Sequence, residues 1–220
     1  MKNRIWWVLL LIIIVIIIFG ILYGWFRKKD ELTQEEIDTL NKIDYKPFPI
    51  SVQNGTDTQN LFSKLWYDHV RLTREVIVGT FNNDPNLKNL EDSLLKNQED
   101  IGNAIDKYYP NSAPIITRLL KEHILQAKTI LEDLKYKRLG RLSGDINKWY
   151  ANADKFSEAM SIINPEWQLK SHMAEHLRIT EREAIYEWLG MKKTSLQIYN
   201  DKVVPQAQEL SNHIVEGLPQ

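Results

Sequence analysis

Phe62 to Thr80 reads FSKLWYDHVRLTREVIVGT, and its periodicity decides the fold. Phe62, Leu65, His69, Leu72, Val76 and Thr80 fall on one face at helical spacing, while charged residues fill the opposite side. That pattern predicts a helix over about 57–82. The same period continues downstream. Asp84-Pro85 suits the N-cap and N1 positions of a second helix near 85–108, carrying Leu87, Leu90, Leu94, Gln98, Ile101 and Ile105. Ser112 and Pro114 open a third, with Ile116, Leu119, His123, Ala127, Ile130 and Leu134 aligned. Gly140 to Gly144 reads as a break, followed by a fourth helix carrying Ile146, Trp149, Ala153, Phe156, Met160 and Ile163. Asn164-Pro165 caps a fifth, with Leu169, Met173, His176, Thr180 and Trp188, and Gly190 suits its C′ position. The last segment, 191–217, carries Leu196, Val203, Ala207, Leu210 and Ile214, and Pro205 should kink or split it. No run of period-two β-branched residues occurs after residue 26. The fold class expected is all-α: an up-and-down bundle of five or six helices over 57–217.

Upstream lies a segment of another kind. Ile5 to Phe26 contains no charge and no amide, and 22 residues at about 1.5 Å each span roughly 33 Å, enough for a hydrocarbon core of about 30 Å. Trp6 and Trp7 at one end and Tyr23 and Trp25 at the other suit the headgroup layer. The run is too long for a signal-peptide core, and Tyr-Gly-Trp-Phe-Arg-Lys-Lys offers no small-residue cleavage site. Residues 1–29 are therefore expected to form a single-pass transmembrane anchor that contacts membrane lipid through 5–26. Basic residues flank both ends, and the slight excess after the run leans toward a cytoplasmic bundle. Gly20 and Gly24 form a Gly-x-x-x-Gly pair that would allow a homodimer, although glycine is common in membrane helices generally. Residues 30–56, with a capping box at Thr33–Glu36 and Pro47-Phe48-Pro49 beyond it, read as a stalk.

Beyond position 29 the chain carries all 29 acidic residues against 23 basic ones, a net charge near −6. An acidic surface without basic blocks argues against a nucleic-acid partner. The absence of cysteine excludes disulfides, zinc–thiolate sites and thiol nucleophiles. There is no glycine-rich phosphate loop and no Gly-x-Ser-x-Gly elbow.

The informative polar residues are those that interrupt the apolar stripes. His69, Gln98, His123 and His176 each sit near the middle of a helix on its inward face, with Asn152 near the middle of the fourth. In an antiparallel bundle of matched helices such positions meet at one height. The common outcome is a hydrogen-bonded network that fixes register; the alternative is a metal, divalent or iron, held by His69, His123 and His176 with Gln98, Glu99, Glu122, Asn152 or His172 in support. No histidine follows a Glu by three residues, as a ferritin-like di-iron site needs. His172 and His176 give a single His-x-x-x-His, and no His-Glu-x-x-His occurs.

Several ordered segments carry a resemblance. They are Leu65-Trp66-Tyr67-Asp68-His69-Val70 with Thr73-Arg74-Glu75, Asn97-Gln98-Glu99-Asp100-Ile101-Gly102, Lys121-Glu122-His123-Ile124, Trp149-Tyr150-Ala151-Asn152-Ala153-Asp154 and Asn164-Pro165-Glu166-Trp167. Together they resemble a group of small helical bacterial proteins that carry the label acetylglutamate kinase and are hemerythrin-like in general character. The resemblance spans roughly residues 60–215. It implies a helical bundle and supplies no catalytic residues, since kinases of that class are α/β proteins with phosphate loops that this chain lacks. The functional expectation is a membrane-anchored, non-enzymatic binding or structural protein with a protein or self partner; a metal-dependent redox or sensor bundle is the alternative.

Overall fold

The computed structural model describes residues 57–219. The expected anchor, with Trp6, Trp7, Gly20, Gly24 and Trp25, and the expected stalk over 30–56 lie outside the described residues. Within them no helix is long and apolar enough to cross a membrane.

The described residues are helical and contain no strand. The elements are α1 (Asp57–Asn82), α2 (Leu87–Asp106), α3 (Ala113–Lys135), α4 (Leu139–Ile163), α5 (Lys170–Trp188), α6 (Lys192–Ile198), a π turn (Tyr199–Val203) and α7 (Val204–Glu216). Because α6, the π turn and α7 run on without a break, the bundle has six helices. Each packs on its neighbour in sequence, and α7 returns against α1 to close the ring.

Three of the connections share one device. Asn83, Lys137 and Gly190 take the left-handed conformation (φ 57°, 56° and 78°). In each case the next residue donates its N–H back to a carbonyl five residues earlier: Asp84 to Gly79 (2.9 Å), Arg138 to Asp133 (2.8 Å) and Met191 to Tyr186 (2.9 Å). This is the Schellman closure, which satisfies carbonyls left over at a helix end. Gly190 stands where its sequence position predicted.

Three expected boundaries differ. The break after α3 is at Tyr136–Arg138, not Gly140–Gly144: both glycines lie inside α4 with open space around them. Glycine there costs helix propensity, but the Lys137 turn and an Arg138 Nε–Asp133 Oδ1 bond of 2.6 Å define the corner. Asn164 does not start α5. It closes α4 in extended conformation (φ −142°, ψ 113°), and α5 begins only at Lys170. Its Oδ1 accepts from the Glu166 amide (3.0 Å), while its Nδ2 reaches the Tyr109 hydroxyl (3.0 Å) and the Gly217 carbonyl. Asp84 likewise binds the Asn86 amide (2.7 Å), so α2 begins at Leu87. Pro205 sits at the start of α7, directly after the π turn. A proline within a helix lacks an N–H and crowds the carbonyl four residues back, and the wider turn relieves both.

Most of the core is one cluster, with Phe62, Ile101, Ile105, Ile116, Phe156, Met160, Leu177 and Leu210 inside it. Two smaller clusters complete it, one of Leu72, Val76, Ile77, Leu94, Ile124, Leu131 and Ala184 and one of Val70, Ile179, Tyr199, Val203 and Ala207. Trp167, in the connection before α5, is fully buried and donates its indole N–H to the Ile214 carbonyl at 3.0 Å. The Gly217 backbone lies directly against that ring. A Cβ at 217 would fall 2.3 Å from Trp167 Nε1 and 2.7 Å from Cδ1. The ring is walled in, so Gly217→Ala is expected to destabilise by about 1–3 kcal/mol, read as a lower midpoint in thermal melting. An unchanged midpoint would show that the Trp167 loop yields.

Candidate functional site

His69 on α1, Gln98 on α2, His123 on α3, Asn152 on α4 and His176 on α5 are all buried. Their helices alternate in direction, which brings mid-helix residues to one level. The His69 and His176 rings have centroids 5.6 Å apart, and those of His123 and His176 are 6.2 Å apart and stacked. Trp66 meets His69 edge-on at 5.8 Å, and Trp149 lies 5.1 Å from His123.

Each imidazole has an amide on its Nδ1. Gln98 Nε2 is 3.2 Å from His69 Nδ1, Asn152 Oδ1 is 3.3 Å from His123 Nδ1, and Gln206 Oε1 is 3.2 Å from His176 Nδ1. The amide orientations are set by backbone carbonyls: Gln98 donates to Leu94 O (2.7 Å), Asn152 to Leu119 O (3.1 Å) and Gln206 to His172 O (3.0 Å). Tautomers follow from this. His69 accepts at Nδ1 and carries its proton on Nε2, whereas His123 and His176 donate from Nδ1. Burial, followed by the neighbouring His176 and His123, holds the His69 pKa well below the ordinary imidazole value. Burial, followed by the neighbouring His176, lowers His123 to about 3, and burial lowers His176 to about 4, with the Asn152 and Gln206 bonds pulling the other way. All three are neutral at physiological pH.

The remaining candidates do not join them. Glu99 faces solvent and accepts from Lys121 Nζ at 2.5 Å, and Glu122 pairs with Arg118 at 2.9 Å. His172 meets His213 instead, in a tilted arrangement with ring centroids 5.1 Å apart, toward the start of α5. Among the described residues no three His, Asp or Glu side chains are placed to hold one metal ion. The metal expectation therefore finds no ready ligand set.

One turn from the histidine level, on every long helix, lies an apolar cavity of about 290 Å³. Its walls come from Thr73 and Val76 on α1, Leu94 and Leu95 on α2, Ala127 and Leu131 on α3, Ile146 and Trp149 on α4, and Thr180 and Ala184 on α5. Thr73, Ala127 and Thr180 each stand four residues after a layer histidine. Trp149, three before Asn152, separates the cavity from His123. Two ion pairs stand in the lining, Lys128 with Glu91 (2.6 Å) and Lys88 with Asp92. Two buried polar atoms among the cavity-lining residues have no hydrogen-bond partner: Trp149 Nε1 and Thr180 Oγ1.

A second buried polar group was not anticipated from sequence. Arg74 Nη1 donates to Glu183 Oε1 (2.8 Å) and to Ser195 Oγ (3.1 Å), and Nη2 lies 3.8 Å from Glu187 Oε2. Its guanidinium rests over the Tyr199 ring at 5.3 Å. Burial pushes the Glu183 carboxyl up to about 7, with Arg74 opposing the shift and Glu187 adding to it. No family model, curated protein or solved structure matches the chain.

Proposed function

We propose that the chain is a membrane-tethered, non-enzymatic binding protein whose bundle takes a small apolar ligand in the cavity beside the histidine layer. The observation that carries this reading is the cavity itself. All five long helices wall it, and it holds about 290 Å³ of space that close packing ordinarily removes. An engineered cavity of about 150 Å³ accommodates benzene, so this one suits a ligand of about a dozen non-hydrogen atoms. The adjacent imidazoles support binding rather than catalysis. Each is neutral and tied to an amide, which makes the layer a rigid floor. The uncharged run over residues 5–26 supports tethering to a membrane.

The test is titration of the full chain in lipid nanodiscs with 1-aminoanthracene, a fluorescent apolar probe. Saturable binding at one site per chain is expected. Ala127→Phe, which places a ring in the cavity from a half-buried position on α3, should abolish it while helicity is retained. Absence of saturable binding overturns the reading. So does stoichiometric iron, zinc or manganese in the purified chain that is lost with His69→Ala or His123→Ala.

A further inference from the structure

The charged residues that line the cavity are Lys88, Glu91, Asp92, Lys128 and Glu181. All but one are already engaged. Lys88 pairs with Asp92, and Lys128 reaches from α3 to Glu91 on α2 at 2.6 Å. Glu181, on α5, makes no ion pair and no hydrogen bond among the described residues. Arg178, three residues back, is held through two nitrogens by Glu175 at 2.6 and 2.7 Å. Arg182 is exposed and turned about 100° around the helix from Glu181. Yet Glu181 is half-buried, and burial alone raises its carboxyl above the usual range. A carboxylate in that setting has lost water without gaining a cation. Its surroundings are apolar and aromatic. Leu142 and Ile146 on α4 and Ile185 on α5 also line the cavity and are half-buried, so they form a rim along the α4–α5 seam. Tyr150 stands one turn beyond Ile146, and burial, followed by the Glu181 charge, raises its phenol.

Building on the cavity reading above, we infer that the ligand is an amphiphilic monocation of about a dozen non-hydrogen atoms, whose apolar body fills the cavity and whose ammonium head is received by Glu181 at the rim. The body lies among Val76, Leu94, Leu131 and Ala184. The head stays at the half-exposed seam, near Tyr150, a ring of the kind that attracts organic cations. An anionic head would meet the one uncompensated charge in the lining with its own sign. A plain hydrocarbon would leave that charge as it is.

The experiment displaces 1-aminoanthracene from the full chain in phosphatidylcholine nanodiscs at neutral pH. The competitors are 4-phenylbutylammonium, butylbenzene and 4-phenylbutanoate, which share one body and differ in the charge of the head, each at a free concentration fixed by dialysis. The ammonium is expected to compete about fivefold more strongly than butylbenzene, the upper end for a partly exposed ion pair, and the carboxylate more weakly than either. Glu181→Gln keeps the shape of the side chain and removes its charge, so the ammonium should fall to the level of butylbenzene. Glu181→Lys should reverse the order and favour 4-phenylbutanoate. Equal competition by the ammonium and butylbenzene, or a preference for the ammonium that survives Glu181→Gln, overturns the assignment while leaving the cavity reading intact. Strongest competition by 4-phenylbutanoate in the wild-type chain overturns it in favour of an anion. Saturable 1-aminoanthracene that none of the three displaces overturns the assignment alone, whereas no saturable 1-aminoanthracene at all overturns both.

Discussion

Acidifying the full chain from about pH 7 to about pH 4.5 should remove on the order of 5 kcal/mol of stability and bring the bundle to the edge of unfolding. The unfolded chain protonates its histidines near pH 6.5, whereas His123 and His176 stay neutral in the fold down to about 3 and about 4, and His69 is also held well below its ordinary value. Between those limits the unfolded state binds more protons, so stability is fully present above about pH 6.5 and is lost as pH falls. At pH 4.5 His123 and His176 each contribute a loss of about 2–3 kcal/mol, and His69 acts in the same sense. Glu183 acts in the opposite sense. Its raised pKa, about 7, means the fold holds a proton that the unfolded chain releases, so acid favours the fold there. One carboxyl offsets about one histidine, and the three-histidine term wins. Circular dichroism against pH checks this. An acid transition is expected between about pH 5 and pH 4, and His123→Gln, which cannot titrate, should move it lower. A wild-type chain still fully folded at pH 3.5, or a midpoint indifferent to His123→Gln, would refute it.

What the sequence made legible here follows from period. Helical spacing placed His69, Gln98, His123 and His176 on inward faces, with Asn152 near the middle of the fourth helix, and matched helix lengths then sufficed to bring them to one level. Gln206 was within reach of the same logic, since it stands three residues after Val203 and four before Leu210 on the last stripe. It went unremarked because the π turn before Pro205 shifts the register of that helix. Glu183 and Glu187 continue the His176–Thr180 stripe, but carboxylates are ordinarily assigned to solvent, and only the structure shows Arg74 meeting them across α1. The cavity was not legible at all. It is a shortfall of side-chain volume summed over five helices, and no local pattern encodes such a sum. The same holds for the turn at Lys137. A left-handed lysine has no signature in composition, so the nearby glycines drew attention that the Schellman closure did not require.

Replacing Arg74 should be among the most damaging single substitutions in the bundle. Arg74→Met keeps the apolar stem and the volume but removes the charge that faces Glu183 (2.8 Å) and Glu187 (3.8 Å), both almost wholly buried. Two carboxyls would remain without a cation, and Ser195 would lose its donor. Breaking a buried ion pair from one side costs about 3–5 kcal/mol, because the partner's desolvation remains while the attraction is gone. The damage should depend on pH. Protonating Glu183 lessens the penalty, so Arg74→Met should be more harmful at about pH 8 than at about pH 6, the reverse of the histidine trend. Denaturant melts of the two proteins at both values separate the effects. The location adds a second signature. Arg74 joins α1 to α5, α6 and the π turn through Glu183, Ser195 and Tyr199, so amide exchange in 192–203 should accelerate before the His69–His123–His176 level is disturbed. The triple change Arg74→Met, Glu183→Leu, Glu187→Leu should recover most of the loss, since a well-packed apolar replacement escapes the desolvation that the ionic group sustains. A single mutant as stable as wild type, or a triple mutant no better than the single, would show that the ionic group does not hold α1 to α5 as described.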